Sequence, residues 1–266
     1  MPGEVVRELL ASLRRVPDLA KVKVQDVRVG LGYTCVKLST KHVGVCQTLL
    51  DELTCCQRID KAGKLSGSPA LEIAGLARSW KLSEAVVGVA TINALSQIVL
   101  ERKSGYYSII EDANFIDQIE INKNDTVALV GYIKPFIPII KKRAQSLYIL
   151  ERNPMARGEE IFPDTACEEI VPKANVVIIT GTAVVNGTID RLLELSKGAR
   201  EVGLVGPTAS MIPDPLFKRG VTVMGGIKVI SPEKMLRITG EGGGVPNFKD
   251  ACKEVIIRPK NTGPYK

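Results

Sequence analysis

The sequence predicts an α/β protein in which a Rossmann-like parallel-sheet domain follows a smaller α+β domain. From about residue 105 onward, short β-branched runs alternate with helical patterns, which is typical of a parallel sheet covered on both faces. The run at residues 176–180 turns directly into a T-G-T sequence, as a buried strand does before a helix. The first 104 residues instead show a hairpin followed by helices. We therefore expect domains at 1–104 and 105–258, with 259–266 as a disordered tail.

The elements of the first domain follow from spacing and capping residues. Charged and apolar residues at helical spacing predict an amphipathic helix over residues 1–15, rather than a signal peptide. A polar turn between two strand-like runs predicts a hairpin. Ser-Pro at 68–69 and Ser83 are helix-start signals. The predicted strands are residues 22–29, 33–38 and 43–49, and the two later helices span about 68–80 and 83–101.

The second domain repeats strand and helix five times. Predicted strands lie at residues 126–130, 147–150, 176–180, 201–205 and 221–224. Helical patterns fall at residues 133–144, 165–170, 188–197 and 214–218, and a last helix follows Ser231-Pro232. Right-handed crossovers between parallel strands then give a Rossmann-like arrangement.

Composition excludes some partners and indicates a compartment. The chain has 266 residues with a net charge of +7, but its Lys and Arg residues are dispersed and aromatic residues are only 5%, so nucleic acid is not an expected partner. The longest apolar run, residues 127–140, is broken by Gly, Lys and Pro and cannot span a membrane. We expect a cytoplasmic protein with reduced cysteines, for which a homodimer is plausible.

The predicted binding site lies at the carboxyl ends of the strands, where open parallel sheets bind ligands. Glycine allows close backbone approach there, and Thr and Asn add hydrogen-bonding groups. We expect the N–H groups of residues 181–187 to hold the negative part of a small polar or anionic molecule. The candidate residues are Gly131, Glu151, Thr180, Gly181, Thr182, Asn186, Gly187, Thr188, Gly206, Pro207, Thr208, Gly225 and Gly226.

Asn93 is a further candidate, because an Asn on the apolar face of a helix must satisfy its amide donors and its carbonyl. One interpretation is a hydrogen bond within the protein. The other is that Asn93 points into a cleft between the domains and faces Thr182 and Asn186 across the ligand.

Glu151 follows Gly131 by 20 residues, the spacing of an acid that binds a ribose hydroxyl in dinucleotide-binding folds. The turn after Gly131 lacks the G-x-G-x-x-G pattern, so a nicotinamide dinucleotide is not expected. An enzyme using a nucleotide-like cofactor such as S-adenosylmethionine stays an alternative. No Ser-His-Asp set, H-E-x-x-H or P-loop lysine is present, so the sequence assigns no catalytic residue and leaves open whether the chain is an enzyme.

Cysteines and the single histidine cluster early in the chain, which raises a cysteine-based metal carrier as another alternative. If Ser39 to His42 forms a two-residue turn, Cys35 and Cys46 lie opposite each other across the hairpin. That pairing fits a shared metal site or simple cross-strand packing. No C-x-x-C motif accompanies it. The group comprises Cys35, His42, Cys46, Cys55 and Cys56.

Several motifs in this order resemble the family described as "putative heavy-metal chelation". They are V-G-Y at 130–132, E-R-N-P at 151–154, I-T-G-T at 179–182 with N-G-T at 186–188, G-P at 206–207 and G-G at 225–226. G-Y-T-C-V-K at 32–37, G-V at 44–45 and N-A at 93–94 extend the resemblance over nearly the whole chain. It implies an enolase-amino-terminal-like domain, a Rossmann-like domain and an interdomain cleft. A heavy-metal ion, a metal chelate or the synthesis of a chelator is the function it suggests.

Overall fold

The computed structural model describes residues 3–53, 57–102, 104–156 and 160–260. It confirms the predicted α/β class, with a small antiparallel sheet followed by a larger, mostly parallel one. Cys55 and Cys56, and residues 261–266 of the predicted tail, lie outside the described residues.

The amino-terminal unit packs one long helix against a three-stranded sheet. Helix α1 (Glu4–Arg14) buries a single stripe at helical spacing, as its amphipathic pattern predicts. Helix α2 (Ala70–Ala74) leads to α3 (Leu82–Arg102), which is long and apolar enough to cross a membrane, but 89% of its most apolar window is buried within the protein. It is therefore the core helix of this unit. The strands are β1 (Val24–Val29), β2 (Tyr33–Leu38) and β3 (Val43–Gln47).

The hairpin between β2 and β3 has a three-residue loop, whereas the sequence predicts a two-residue turn. Lys37 pairs with Val43, and the Leu38 N–H donates to the His42 carbonyl at 2.9 Å. Lys41 takes φ +69°, as the last residue of a three-residue hairpin loop does. Because the register shifts by one residue, side chains that a two-residue turn would place on the same face of the hairpin lie on opposite faces.

The second unit is an eight-stranded sheet in the order β4-β11-β10-β9-β8-β5-β6-β7. Strands β5 to β10 are parallel, and β11 and β4 extend the sheet in antiparallel fashion. Counted from β5, the parallel part runs 3-2-1-4-5-6, the order of dinucleotide-binding folds. The strands are β4 (Tyr107–Glu111), β5 (Thr126–Val130), β6 (Ser146–Glu151), β7 (Ile161–Pro163), β8 (Val176–Thr180), β9 (Glu201–Val205), β10 (Val223–Val229) and β11 (Cys252–Pro259).

Helices cover both faces of this sheet, so its central strands are buried on both sides. Along β5, Ala128 and Val130 join the core shared with α3, while Val127 and Leu129 join the core on the opposite face. The helices are α4 (Phe115–Gln118), α5 (Ile137–Arg143), α6 (Cys167–Ile170), α7 (Thr182–Val185), α8 (Ile189–Leu195), α9 (Asp214–Phe217) and α10 (Pro232–Gly240).

Candidate functional site

A cleft of about 850 Å³ lies between the two units, at the carboxyl ends of β5, β6 and β8. Its floor is the switch point between β5 and β8, where the strand order reverses and doubly wound sheets bind ligands. The amino-terminal unit forms the facing wall with Leu31, Gly32 and residues 47–52. Both units are therefore needed to build it.

The predicted site residues divide into two groups along this edge of the sheet. Those on β5, β6, β8 and the turn before α8 line the cleft and define what we term the open half: Gly131, Glu151, Thr180, Thr182, Asn186 and Thr188. The others lie outside the cleft lining: Asn93, Gly181, Gly187, Gly206, Pro207, Thr208, Gly225 and Gly226. The end of β9 and the adjacent part of β10 form the closed half. The structure thus brings three strand ends together in the cleft, where the sequence predicts five.

Two threonines and a glycine form the floor of the open half. Gly131 has φ +99°, and a Cβ built there would lie 2.9 Å from the Thr180 side chain, so only glycine fits. The hydroxyl oxygens of Thr180 and Thr182 lie 3.1 Å apart. The Cβ and Cγ2 atoms of Thr180 thus fill the space beside the Gly131 backbone.

The backbone N–H groups after β8 are largely used within the protein, which corrects the prediction that they hold an anion. The Gly181 N–H donates to the Val205 carbonyl at 2.8 Å, the Val184 N–H to Gly181 at 3.1 Å, and the Asn186 N–H to Thr182 at 3.1 Å. The reason is the short helix α7, which begins at Thr182, whereas the sequence predicts the next helix only at residues 188–197.

The Asn186 side chain closes the next turn. Its Oδ1 accepts the Thr188 N–H at 3.3 Å and the Thr188 hydroxyl at 2.8 Å, an Asx turn that prepares the start of α8. Within the described residues its Nδ2 has no hydrogen-bond partner, so that donor is available in the cleft lining.

Glu151 organises two loops at the mouth of the cleft. Its Oε2 accepts the Tyr132 N–H at 2.7 Å, and its Oε1 accepts the Asn153 N–H at 2.8 Å. Each carboxylate oxygen keeps a second lone pair for a ligand donor. In dinucleotide folds the phosphate-binding turn follows the first strand of the parallel sheet, which is β5 here. The Tyr132 N–H lies in the turn after β5, but it donates to Glu151.

Side chains from both units meet across one end of the cleft. The Arg152 guanidinium donates to Glu52 at 2.8 Å and to Asp164 at 2.7 Å. Asn153 Nδ2 donates to Asp51 at 2.7 Å. Burial disfavours the charged guanidinium, but the hydrogen bonds to Asp164 and Glu52 outweigh it and raise the pKa of Arg152. These contacts fix residues 51 and 52 of the first unit against the second.

The described cleft lining is acidic, although the whole chain carries a net charge of +7. Both guanidiniums already bind carboxylates: Arg152 as described above, and Arg191 in a two-point contact with Glu168 at 2.9 and 2.6 Å. The net negative charge of the lining would therefore repel a multiply charged anion. The charged groups of the described lining are five carboxylates, Asp51, Glu52, Glu151, Asp164 and Glu168, and two guanidiniums, Arg152 and Arg191.

Sequence reasoning missed most of these ionisable residues. Only Glu151 was a candidate, although E-R-N-P at 151–154 places Arg152 and Asn153 beside it. A polar run directly after a buried strand was the available signal. Residues 51 and 52 carried no comparable signal, because their place in the cleft depends on how the two units pack.

In the closed half, hydrogen bonds join the two units, and none of the predicted site residues there lines the interdomain cleft. Asn93 is fully buried, and its Nδ2 donates to the Val45 carbonyl at 2.8 Å and the Thr208 carbonyl at 2.9 Å. The Thr208 hydroxyl accepts the Gln47 N–H at 2.9 Å. Asn93 therefore holds the hairpin, α3 and the turn after β9 together. The hypothesis that it faces Thr182 and Asn186 across a ligand is wrong, and the within-protein interpretation is correct.

The glycines of the closed half serve packing. Gly225 and Gly226 lie inside β10, where the sequence predicts that the strand ends before them. A Cβ at Gly225 would lie 2.5 Å from the Phe115 ring, and one at Gly226 would lie 2.8 Å from the Ser210 hydroxyl. Similarly, a Cβ at Gly181 would lie 2.7 Å from the Ala209 nitrogen. Gly206 has φ +116° and begins the turn that carries Pro207 and Thr208.

The hairpin cysteines do not form a metal pair. Because of the three-residue loop, Cys35 pairs with Val45 and Cys46 with Thr34, so the two thiols lie on opposite faces of the sheet. Burial raises the pKa of Cys35 to about 11 and that of Cys46 further. Thiolates are the metal-binding form. Across residues 3–53, 57–102, 104–156 and 160–260, no three His, Cys, Asp or Glu side chains are grouped to hold a metal ion.

Comparison with known families finds a match for each of the two units. Two family models, both described as "putative heavy-metal chelation", match residues 15–96 and 114–258. The chain belongs to this family. An uncharacterised protein of Methanocaldococcus jannaschii is 30% identical over 243 residues, which cover 88% of this chain and 90% of that protein.

Two solved structures share the whole fold. One, from Pyrococcus horikoshii, is 25% identical with a TM-score of 0.81, covering 96% of this chain and 99% of its own. The other, from Desulfitobacterium hafniense, is 27% identical with a TM-score of 0.78, covering 96% and 98%. Both are described as proteins of unknown function, so they support the fold and the family and name no ligand.

Proposed function

We propose that this protein binds one small polar molecule in the interdomain cleft, with the ligand's cationic or hydroxyl-bearing part against the open half. The observation that carries the proposal is the excess of carboxylates over guanidiniums at a switch point lined by threonine hydroxyls. Carboxylates accept hydrogen bonds from ammonium and hydroxyl groups and repel phosphates. The sequence suggests a polar or anionic ligand; the lining supports the polar part and opposes the anionic part.

The family description suggests a heavy metal as cargo. The described residues offer no grouped set of protein ligands for a bare metal ion, and the buried hairpin thiols are protonated. A cysteine-based carrier built on Cys35 and Cys46 is therefore not supported. A metal could still enter already bound to an organic chelator, in which case the organic part would contact the cleft.

A nucleoside-containing ligand is the second candidate, because the strand order and the place of Glu151 at the end of β6 match the ribose-binding position of dinucleotide folds. Against a diphosphate, the Tyr132 N–H is engaged by Glu151 and Thr180 fills the crevice beside Gly131. A nucleoside without phosphates meets neither obstacle.

A thermal-shift panel of probes grouped by charge tests the proposal. We expect spermidine, inositol or adenosine to raise the Tm more than AMP, NAD or inorganic phosphate does. A Tm increase produced only by the phosphates would contradict the assigned charge. If adenosine alone is active, Glu151→Gln should weaken it, because the amide lacks one of the two acceptor oxygens.

The placement of the site is tested separately with the double variant Thr182→Ala/Asn186→Ala. It removes a hydroxyl and an amide from the open half and should abolish the shift caused by the active probe. The matched control is Thr222→Ala, which removes a hydroxyl next to β10, outside the cleft lining. An unchanged response in the double variant would refute the cleft as the site, whatever the probe.

A further inference from the structure

A second cavity, of about 430 Å³, lies between the carboxyl-terminal half of α3 and strands β4, β11 and β10. Among the described residues, its lining and that of the interdomain cleft have no member in common. Its volume falls within the range of about 300–1,000 Å³ typical of small-molecule sites. Its charged and amide-bearing lining residues are Gln97, Glu101, Glu111 and Lys228.

The floor of this cavity is apolar, and the sheet register produces it. Ile109 pairs with Ile257 across β4 and β11, so both side chains lie on the same face. Val255 pairs with Gly226 in the next row. Ser210 packs over Gly226 in that row, and Val255 and Leu100 of α3 complete the apolar lining.

The rim of the cavity carries both signs of charge. Lys228 Nζ lies 3.3 Å from Glu111 and 3.9 Å from Glu101. Hydrogen bonds from Lys253 and Lys228 lower the pKa of Glu111, so it is ionised at neutral pH. His42 also contacts Glu101, at 3.1 Å. Lys253 Nζ also lies 3.3 Å from Glu111, so two carboxylates and two ammoniums stand within a few ångströms of each other above an apolar floor.

Gln97 lines the same cavity and is under-used by the protein. The residue is 6% exposed, and its Nε2 is buried with no hydrogen-bond partner among the described residues. Buried amide donors are normally satisfied, so an unpaired one indicates a missing partner. Rotation of the terminal amide exchanges the positions of Nε2 and Oε1 and can present the donor to the cavity.

We propose that this cavity binds a free amino acid with an apolar side chain, such as leucine or methionine. The apolar side chain lies on Ile109, Val255 and Ile257. The α-ammonium group binds between Glu101 and Glu111, and the α-carboxylate accepts from Lys228 and the Gln97 amide. A fatty acid would match only the ammoniums of the rim and leave the carboxylates unmatched, whereas a zwitterion matches both signs.

Titration calorimetry of the full chain with three matched probes tests the ligand class. L-leucine should bind saturably, while 4-methylpentanoate and 3-methylbutylamine, which each keep one charge, should bind at least roughly tenfold more weakly. Absence of saturable leucine and methionine binding overturns the proposal. Equal affinity for either single-charge probe overturns the assignment of a zwitterion.

Variants locate the site and separate it from a structural role. Gln97→Leu and Lys228→Met should each weaken leucine binding roughly tenfold. Gln97→Leu should not lower the Tm, because the deleted Nε2 has no hydrogen-bond partner in the described part of the chain. A lower Tm for this variant would show that the amide stabilises the fold and would overturn its role in ligand binding.

Lys234→Met, which removes an exposed ammonium paired with Asp250 outside the cavity, is the matched control. If leucine affinity is unchanged in both Gln97→Leu and Lys228→Met, the proposal is also overturned. Thr182→Ala/Asn186→Ala should retain leucine affinity, because that variant alters only the cleft.

Discussion

The open and closed halves of one sheet edge differ in what covers them. At the closed half, Asn93 and Thr208 use their hydrogen-bonding groups to join the two units. At the open half, residues 47–52 of the first unit stand across a cavity from Thr180, Thr182 and Asn186. Both halves contain glycines and threonines after parallel strands. A strand end therefore becomes a candidate ligand site only where the rest of the chain leaves its polar groups unused.

The largest expected effect is at the closed half. Asn93→Leu removes two hydrogen bonds and leaves the carbonyls of Val45 and Thr208 buried and unpaired. Because each unsatisfied buried group costs about 1–3 kcal/mol, we expect the free energy of unfolding to fall by about 2–5 kcal/mol in urea denaturation.

The matched control for Asn93→Leu is Ser96→Ala on the same helix. Ser96 is also fully buried, but its hydroxyl has no hydrogen-bond partner among the described residues, so its removal should change stability by less than about 1 kcal/mol. Equal stability of the Asn93 and Ser96 variants would remove the distinction between the two halves.

An intermediate effect is expected at the mouth of the open half. Glu151→Gln keeps one acceptor but turns an amide donor toward the N–H of Tyr132 or Asn153. We expect a loss of about 1–2 kcal/mol in the free energy of unfolding. Glu160→Gln, which removes only an exposed ion pair with Lys141, should cost less than about 1 kcal/mol. If Glu151→Gln were no more costly than this control, Glu151 would not be the residue that holds these loops.

A smaller effect on folding is expected in the floor of the open half. Thr182→Ala/Asn186→Ala removes local contacts with Thr180 and Thr188, so the free energy of unfolding should fall by no more than about 1–2 kcal/mol. A loss of stability as large as that of Asn93→Leu would mean that the open half contributes as much to the free energy of unfolding as the closed half does. The distinction between the two halves would then be lost.

No effect at neutral pH is expected from the hairpin thiols. Cys35 and Cys46 are buried, and their raised pKa values keep them protonated, so alkylation by iodoacetamide should require unfolding, as mass spectrometry of labelled peptides can show. Since the folded pKa of Cys35 exceeds its ordinary value, the thiol's contribution to stability is complete below the ordinary thiol range and is lost as pH rises toward 11. Rapid labelling of both native thiols at pH 7 would contradict this.

The sequence was sufficient to predict the fold class, because alternating β-branched runs and helical spacing are local signals. It was not sufficient for β7, which has three residues, or for the antiparallel strands β4 and β11 at the sheet edge. The hairpin register was also wrong, since two- and three-residue loops differ by one position and Lys41 gives no glycine signal for its positive φ.

Half of the candidate site depended on information that is not local. Gly131, Glu151 and Thr182 sit at strand ends whose positions follow from topology. Whether Thr208 lines the same cleft depends on where Asn93 and Gln47 of the other unit come to lie. The acidic character of the cleft likewise comes from Asp51 and Glu52, which only tertiary packing brings to the second unit.

The most direct test is mass spectrometry of the small molecules released from natively purified protein, comparing wild type with Thr182→Ala/Asn186→Ala and with the control variant Thr222→Ala, which alters neither cavity lining. We expect one neutral or cationic polar compound at close to one equivalent from wild type and Thr222→Ala, and its loss from the double variant. A phosphorylated compound, or retention of the wild-type compound by the double variant, would contradict the assignment of the open half as the binding site.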